Sequence, residues 1–400
     1  MPHHPAPPAV VLLLAALAAP APAQLRLPSE NLEELQALVR SDSNEARVHY
    51  FLGLGYWKKR KWAEADSALR TAVRLDPRFA EAYLALGYLP YARRPQLFTD
   101  EARGRVPRQW KDPLEEARRF SERAYLVDPL VSLEIISFAF PVDDSGFRDY
   151  TSAESKLYEY LYEWFVELGR GNYSKAYWLL DRLARRVYWG HKDRSRVPNY
   201  VLWYRGNAAA RAGLLDSAVL DFETLLRRNL EEESKDELIA IPLRTNEYRY
   251  VLGVLHQLAG RRDTAVALFR EALTHDVGLY MAHVRLAAMH DADGEAAAAL
   301  AERRRAVETN PDDHSLLVEL GVALAEAGEL ADGEETLRRA ATASPRDAFP
   351  HYALGAITEH LGRTAEAREH FAQFLALAPK RLGNYAADAR ARLARLQAGP

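Results

Sequence analysis

The sequence predicts an all-α fold: a right-handed helical-repeat solenoid of 34-residue helix-turn-helix units, with two loop insertions and a C-terminal capping helix. The first observation is a 34-residue period, which separates Gly260, Gly294, Gly328 and Gly362 and likewise Pro311, Pro345 and Pro379. The second is composition, because 48% hydrophobic and 27% charged residues are typical of a folded globular chain. The third is that the 400 residues include no cysteine, so packing between units must replace disulfides and thiolate metal sites.

The first segment of the chain has the pattern of a secretory signal peptide. An apolar run at residues 9–19 precedes Ala21-Pro22-Ala23, a small-residue sequence typical of a cleavage site. The run is too short to span a bilayer. The sequence therefore predicts a signal peptide at residues 1–23, no transmembrane segment in the mature chain, and a periplasmic or secreted location. Because no Lys or Arg precedes the apolar run, a disordered start is the alternative.

Residues 24–45 are predicted to form an N-terminal cap helix, and residues 46–129 carry two repeat units. In the first unit, positions 7, 8, 11, 20, 27 and 32 are Leu52, Gly53, Tyr56, Ala65, Ala72 and Pro77. The second unit has an insertion at about 91–111, where prolines disfavour a long helix. Its second helix is expected to resume near Pro113.

Residues 130–198 are predicted to form a degenerate helical segment. It contains a repeat-like unit at 157–190, in which Glu163 and Trp164 stand where the repeat has leucine and glycine. Residues 199–245 hold a clearer unit followed by the second insertion. The middle of the chain therefore follows the repeat less faithfully than its C-terminal part.

Four regular units cover residues 246–381 without a gap, and residues 382–400 are predicted to form the capping helix. Each regular unit has leucine at position 7 and glycine or alanine at positions 8 and 20, where small side chains let the two helices approach closely. Glycine at position 15 suits the turn between the helices, because glycine tolerates a positive φ. Proline at position 32 lies beyond the second helix, where its missing N–H does no harm.

This spacing resembles the tetratricopeptide repeat (TPR), in the form found in exported bacterial proteins. The resemblance implies a curved array whose concave face is lined by positions 2, 5, 9 and 12 of each first helix. Each repeat is then expected to contact only its neighbours. It also implies binding rather than catalysis, and so an exported scaffold for a protein or an extended peptide partner. Cell-envelope assembly or secretion is the expected setting.

Aromatic residues at or beside the concave positions are the predicted partner-binding residues. Large aromatic side chains beside a guanidinium are typical of interface hot spots. The predicted set is Tyr50, Trp57, Tyr88, Tyr200, Trp203, Tyr204, Asn207 and Arg211. Two alternatives stay open. The same residues could pack in the core, or they could serve a carbohydrate-binding or carbohydrate-processing protein, because sugar rings also stack on tyrosine and tryptophan.

Charge is unevenly distributed, although the net charge of the whole chain is only −3. Residues 46–129 carry 17 Lys plus Arg against 11 Asp plus Glu, including the basic run Lys58–Lys61. This excess favours an acidic partner, and a solvated surface without a partner is the alternative. The small net charge and the export signal predict no binding to nucleic acid.

Motifs for catalysis, metals or cofactors are weak. Glu366 and His370 are four residues apart, which permits two ligands on one helix face, and His283 and His290 are seven apart. No H-E-x-x-H, G-x-S-x-G or phosphate-binding glycine loop occurs in the sequence. Since His283 and His290 fall at ordinary helix-packing positions, the sequence predicts no enzyme, no metal site and no cofactor.

Overall fold

The computed structural model of the protein describes residues 27–29, 31–135, 163–185, 197–231 and 245–398. These residues form eighteen α-helices and one short 3₁₀ helix and contain no strand. The predicted all-α helical-repeat fold is therefore confirmed. The predicted signal peptide at 1–23 lies outside the described residues, as does the second insertion at 233–245 apart from Thr245.

The helices follow one another with short connections. In chain order they are α1 (Leu32–Ser41), α2 (Ala46–Lys58), α3 (Trp62–Leu75), α4 (Ala80–Arg93), α5 (Gln96–Ala102), α6 (Arg108–Val127), α7 (Tyr173–Leu183), α8 (Asn199–Arg211), α9 (Leu215–Leu230), α10 (Thr245–Leu258), α11 (Arg262–His275), α12 (Tyr280–Ala292), α13 (Ala296–Thr309), α14 (His314–Glu326), α15 (Leu330–Ala343), α16 (Phe349–His360), α17 (Thr364–Leu377) and α18 (Gly383–Ala398). The 3₁₀ helix Lys380–Leu382 leads into α18. Within these ranges, none of the helices combines the length and the apolar character needed to cross a membrane.

The chain divides into two compact units. The split unit comprises the chain up to Phe79 and from Val277 onward, and it contains α1–α3 and α12–α18. The central unit comprises Ala80–Asp276 and contains α4–α11. In both units, successive helices pack together as the pairs of one repeat, for example α2 with α3 and α8 with α9.

Small residues at position 8 allow close helix packing, as the sequence predicts. A Cβ atom added to Gly253 would lie 2.6 Å from a ring carbon of Phe269, and one added to Gly355 would lie 2.8 Å from Phe371. Real Cβ atoms do not make such short contacts. The second helix of each pair therefore packs directly on the glycine backbone, and both phenylalanine rings are completely buried.

The turns between paired helices explain the glycine at position 15. The φ angles lie between 71° and 84° at Gly213, Gly260, Gly294, Gly328 and Gly362. This left-handed conformation is disfavoured for residues with a Cβ atom. In the first repeat the same position is Arg60, with a φ of 56°, and it is the one non-glycine residue with a positive φ in the described ranges.

The first insertion is present where the sequence predicts it, and the structure places helix within it. Helix α4 continues through Pro90, and α5 occupies seven residues between the two helices of the repeat. Helix α6 begins at Arg108, directly after the N-cap Pro107, rather than near Pro113. The φ of −61° at Pro107 suits an approach to a helix, so this proline starts α6 where the sequence analysis expected a loop.

Helices lie at both ends of the described array. Helix α1 follows Asn31, whose side chain accepts a hydrogen bond of 2.9 Å from the backbone N–H of Glu33. Helix α18 packs on α17 and buries Ala386 and Ala389. The predicted C-terminal capping helix is thereby confirmed, with the alanines on the face that covers the last repeat.

One arrangement in the split unit differs from the expectation drawn from the repeat pattern. Residues 41–79 contact residues 314–381, far along the chain. Arg78, after α3, forms a 2.5 Å ion pair with Glu319 of α14, and Asn44 donates a 2.8 Å hydrogen bond to the backbone oxygen of Leu377. The expectation that each repeat contacts only its neighbours is therefore wrong for this unit.

Candidate partner-binding surfaces

Helix α8 carries most of the predicted partner-binding residues. Tyr200, Trp203 and Asn207 lie on one stripe of the helix, because their spacings of three and four match its 3.6-residue period. Tyr200 and the neighbouring Tyr204 are half-buried, whereas Trp203 is only 3% exposed and Asn207 is completely buried. The stripe therefore begins at a partly open surface and ends in the interior of the central unit.

Trp203 belongs to an aromatic cluster of the central unit, formed by Tyr88, Tyr125, Trp164, Trp203 and Tyr204. The Trp203 ring meets Tyr125 and Tyr204 edge-to-face, with centroid distances of 5.5 and 4.8 Å. The rings of Trp164 and Tyr204 are 4.9 Å apart, and the hydroxyls of Tyr88 and Tyr125 hydrogen bond to each other. This central aromatic cluster joins α4, α6, α8 and the helical residues before α7. The contacts of Trp203 therefore agree with the alternative that this residue packs in the core.

The tyrosine hydroxyls of the cluster are poorly solvated. Burial raises the pKa of Tyr204 to about 12, and it raises the pKa of Tyr88 and of Tyr125 well above the ordinary value of 10. Tyr88 and Tyr204 nevertheless keep part of their surface exposed. These hydroxyl groups are therefore neutral at ordinary pH.

Some polar atoms around the cluster have no partner in the described structure. Both side-chain amide atoms of Asn207 are buried without a hydrogen bond, and so are the indole nitrogens of Trp203 and Trp164. Leaving a buried group of this kind unpaired typically costs about 1–3 kcal/mol. The interior end of the α8 stripe therefore carries one carbonyl acceptor and several N–H donors that lie in the core of the central unit.

Arg211 is engaged within the central unit. Its Nε donates a 2.6 Å hydrogen bond to the backbone oxygen of Leu130, and its Nη2 lies 3.4 Å from the Asp128 carboxylate. The guanidinium also lies 5.7 Å from the ring centroid of Tyr173. These contacts tie the end of α8 to the turn after α6 and to α7.

The predicted residues Tyr50 and Trp57 belong to the split unit, and each is 4% exposed. The Tyr50 ring lies 5.0 Å from the ring of Phe79 and 5.9 Å from that of Phe51. Both residues of α2 are therefore placed among core side chains. A partner could reach them only after α2 moved away from its neighbours.

Basic side chains of the N-terminal repeats lie at the surface. The run Lys58–Lys61 is exposed at the end of α2 and in the turn before α3. The exposed cations of the insertion region are Arg93, Arg103, Arg105, Arg108 and Lys111. Arg93 lies over the ring of Trp110 at 5.4 Å, so part of this charge is fixed by stacking. An acidic partner for residues 46–129 stays a prediction.

Two of the histidines singled out in the sequence, His283 and His370, contact the other helix of their own repeat. His283 of α12 lies 2.6 Å from Glu302 of α13. His351 and His370 pair α16 with α17 at a ring-centroid distance of 5.8 Å, and burial is the main cause that lowers the pKa of both. Across the part of the chain that the structure describes, no group of three or more His, Asp or Glu residues is placed to hold a metal ion.

Paired helices, glycine turns with positive φ and small residues at position 8 together define a protein built from helix-turn-helix repeats. A family profile described as tetratricopeptide repeat matches residues 50–94 and 284–348. The chain therefore contains tetratricopeptide repeats, and the resemblance of its sequence to this repeat is confirmed. The repeats provide a protein-interaction scaffold.

The chain is similar to several solved structures over part of its length. One is MamA residues 41 to the end from Desulfovibrio magneticus RS-1, with 22% identity over 45% of this chain and 94% of that chain, and a TM-score of 0.36. Another is the C-terminal part of a TPR repeat-containing protein from Cytophaga hutchinsonii, with 13% identity over 58% of this chain and 84% of that chain, and a TM-score of 0.44. No curated protein matches the chain.

The sequence analysis found many residues of the central unit's interior but missed the contacts that bury them. Tyr125 and Trp164 were not in the predicted set, yet both pack against it. The sequence does indicate unusual packing at Trp164, because a large ring replaces the small residue of position 8. Asn44 and Arg346, which contact each other across the split unit, had no signal in the repeat pattern.

Proposed function

We propose that the chain is an exported TPR scaffold that holds a protein or an extended peptide partner, in cell-envelope assembly or secretion. The observation that carries the proposal is the set of half-buried tyrosines Tyr88, Tyr200 and Tyr204 around a rigidly packed aromatic cluster. Aromatic anchors that are fixed before binding lose little conformational entropy on association, which favours partner capture.

The chemistry of this surface suits a neutral stretch of peptide. The nearby guanidiniums are neutralised within the unit, since Arg205 pairs with Asp221 at 2.5 Å and Arg211 with Asp128. The Tyr204 hydroxyl stays protonated at neutral pH, because burial raises its pKa to about 12. The carbohydrate alternative needs flat, exposed ring faces, whereas the rings of the cluster interlock edge-to-face, so no sugar-binding role is proposed.

Site-specific photocrosslinking tests the binding proposal. A benzophenone amino acid is placed at Tyr200 or at Tyr204, and a matched control is placed at Leu220, an exposed residue of α9 in the same unit. We expect one partner, identified by mass spectrometry, to crosslink at 200 and 204 but not at 220. Equal crosslinking at all three sites, or none at 200 and 204, would contradict the proposal.

Alanine substitutions of single aromatic residues distinguish a loss of partner binding from a loss of stability. Tyr200→Ala is expected to weaken capture of that partner by on the order of 2 kcal/mol and to leave the melting temperature nearly unchanged. Trp203→Ala should lower the melting temperature, because the indole is 3% exposed. Mass spectrometry of the mature chain tests export separately, and the expected N-terminus is Gln24.

A further inference from the structure

The loop between α1 and α2 is bound along its whole length by the C-terminal repeats of the split unit. The loop is taken to include Ser41, the last residue of α1, and Glu45, the N-cap of α2, and each residue from Ser41 to Glu45 makes a polar contact. Lys380 donates from Nζ to Ser41 Oγ at 3.2 Å and from its backbone nitrogen to Asp42 Oδ2 at 3.2 Å. Arg346 donates to the backbone oxygen of Ser43 and from Nε to Asn44 Oδ1 at 2.9 Å. Asn44 in turn donates to the backbone oxygen of Leu377 at 2.8 Å, and Arg381 Nε lies 2.8 Å from Glu45 Oε2.

The receiving surface has a defined chemistry. It presents three cations, Arg346, Lys380 and Arg381, together with a backbone N–H and a backbone carbonyl. Against these, the loop offers two carboxylates, a hydroxyl and an amide. Guanidinium and ammonium groups bind carboxylate and hydroxyl oxygens well. The surface is therefore suited to an extended segment that carries acidic and hydrogen-bonding side chains.

The loop is able to leave this surface without exposing a large core. Arg346, Lys380 and Arg381 are all exposed, and α1 fully buries a single residue, Leu35. Exposed ion pairs each contribute only about 0–1 kcal/mol, so the loop is held by several weak contacts. The rest of the first repeat keeps its own attachment through the ion pair of Arg78 with Glu319, whose side chains are 20% and 14% exposed.

We propose that Arg346, Lys380 and Arg381 form a binding site for an acidic, serine-containing peptide segment, and that Ser41–Glu45 occupies it as an internal competitor. A tethered segment competes at a high effective concentration, on the order of millimolar. An external acidic peptide therefore meets a partly occupied site in the parent chain. This site shares no residue with the aromatic surface of the central unit, so either assignment can fail alone.

Fluorescence anisotropy of a labelled decapeptide of alternating aspartate and serine tests the proposal. The receptor is the full chain with the loop weakened by Asp42→Ala, Asn44→Ala and Glu45→Ser, where serine keeps the ability to cap α2. We expect the weakened-loop chain to bind this peptide about tenfold more tightly than the parent chain. A decapeptide of alternating asparagine and serine should bind neither.

Charge at the assigned site is tested in the same background. Arg346→Ala with Arg381→Ala should abolish the gain in affinity for the acidic peptide. The matched control is Arg339→Ala with Arg368→Ala, which removes two exposed cations of the same unit and should leave the gain intact. Circular dichroism and the melting temperature verify that all variants stay folded.

Three results would overturn the assignment. Equal affinity of parent and weakened-loop chains for the acidic peptide would show that the loop occupies no peptide site. Equal losses from the two double-arginine variants would show attraction by general charge alone. Binding of the weakened-loop chain to anionic phosphatidylserine vesicles, without binding to the peptide, would show that the cations recognise a lipid surface.

Discussion

The split unit and the central unit are built from the same repeat but join distant parts of the chain by different chemistry. In the split unit, residues 41–79 and 314–381 are joined by exposed polar contacts of Arg346 and Arg381 and by the pair of Arg78 with Glu319, whose side chains are 20% and 14% exposed. In the central unit, aromatic rings and a buried guanidinium connect α4, α6, α7, α8 and α9. Exposed ion pairs are weakened by salt, whereas the buried rings and the buried guanidinium of the central unit depend on partners within the interior.

The difference arises at positions where the sequence departs from the repeat. In the units that cover residues 280–381, leucine stands at position 7 and glycine or alanine at positions 8 and 20. In the central unit, Trp164 takes a place meant for a small residue, and Arg205 stands at position 7, where the regular units have leucine. These bulky or polar side chains require partners beyond the adjacent helix, and they find them in neighbouring elements.

The largest expected effect comes from the buried charge of the central unit. Arg205 of α8 contacts Asp221 of α9 through two nitrogens, at 2.5 and 2.8 Å, and Asp181 of α7 at 3.3 Å. These side chains are at most 9% exposed. Asp221→Ala leaves the guanidinium buried with one weaker partner, so the free energy of unfolding should fall by about 3–5 kcal/mol in urea denaturation.

A matched variant on the same helix calibrates this loss. Arg227 and Glu231, at the end of α9, form an exposed pair at 3.0 Å, and Arg227→Ala should cost less than about 1 kcal/mol. Similar losses for Asp221→Ala and Arg227→Ala would remove the distinction drawn between buried and surface charge.

The 34-residue period was sufficient to predict the local structure, because residues at the repeat positions interact with residues of the same unit. Gly253 under Phe269, or Gly260 at a positive φ, depends only on residues within one unit, and such features could be predicted from spacing. The docking of Asn44 on Leu377 depends on how small rotations add over many repeats. The burial of Trp203 likewise depends on Tyr125, which lies in an earlier repeat, so neither contact could be predicted from the period.

A buried carboxylate makes the stability of the split unit dependent on pH. Burial raises the pKa of Glu326, at the end of α14, to about 7, with Arg303 opposing and Asp291 reinforcing the shift. A folded-state pKa above the unfolded value means that the contribution is complete below about pH 4.5 and is lost as pH rises towards 7. Glu326→Gln, which mimics the protonated form, should therefore exceed the parent in unfolding free energy by about 2 kcal/mol at pH 8 and match it near pH 4.5.

Glu335→Gln controls for the loss of one negative charge. Glu335 is an exposed carboxylate on α15 in the same unit. Its substitution should change the free energy of unfolding by the same small amount at pH 5 and at pH 8. A Glu326→Gln effect that is equally independent of pH would show that the carboxylate is ionised throughout.

Substitution of two asparagines, one in each unit, is expected to change the free energy of unfolding in opposite directions. Asn207 in the central unit is completely buried with both amide atoms unpaired, whereas Asn44 in the split unit both donates and accepts a hydrogen bond. Asn207→Leu should therefore raise the free energy of unfolding by about 1 kcal/mol, and Asn44→Leu should lower it by about 1 kcal/mol. Destabilisation by Asn207→Leu would show that its amide is paired in solution.

The smallest expected effect concerns the turn of the first repeat. Arg60 has a φ of 56°, whereas the corresponding turns at Gly213 and Gly260 use glycine at 78° and 71°. A non-glycine residue in this region costs about 1 kcal/mol, part of which is offset because glycine gains freedom in the unfolded chain. Arg60→Gly should therefore stabilise the chain by about 0.5 kcal/mol in urea denaturation. Lys59→Gly, one residue earlier with a φ of −88°, should destabilise it slightly, and stabilisation by both variants would mean that removing positive charge, rather than relieving the backbone, accounts for the gain.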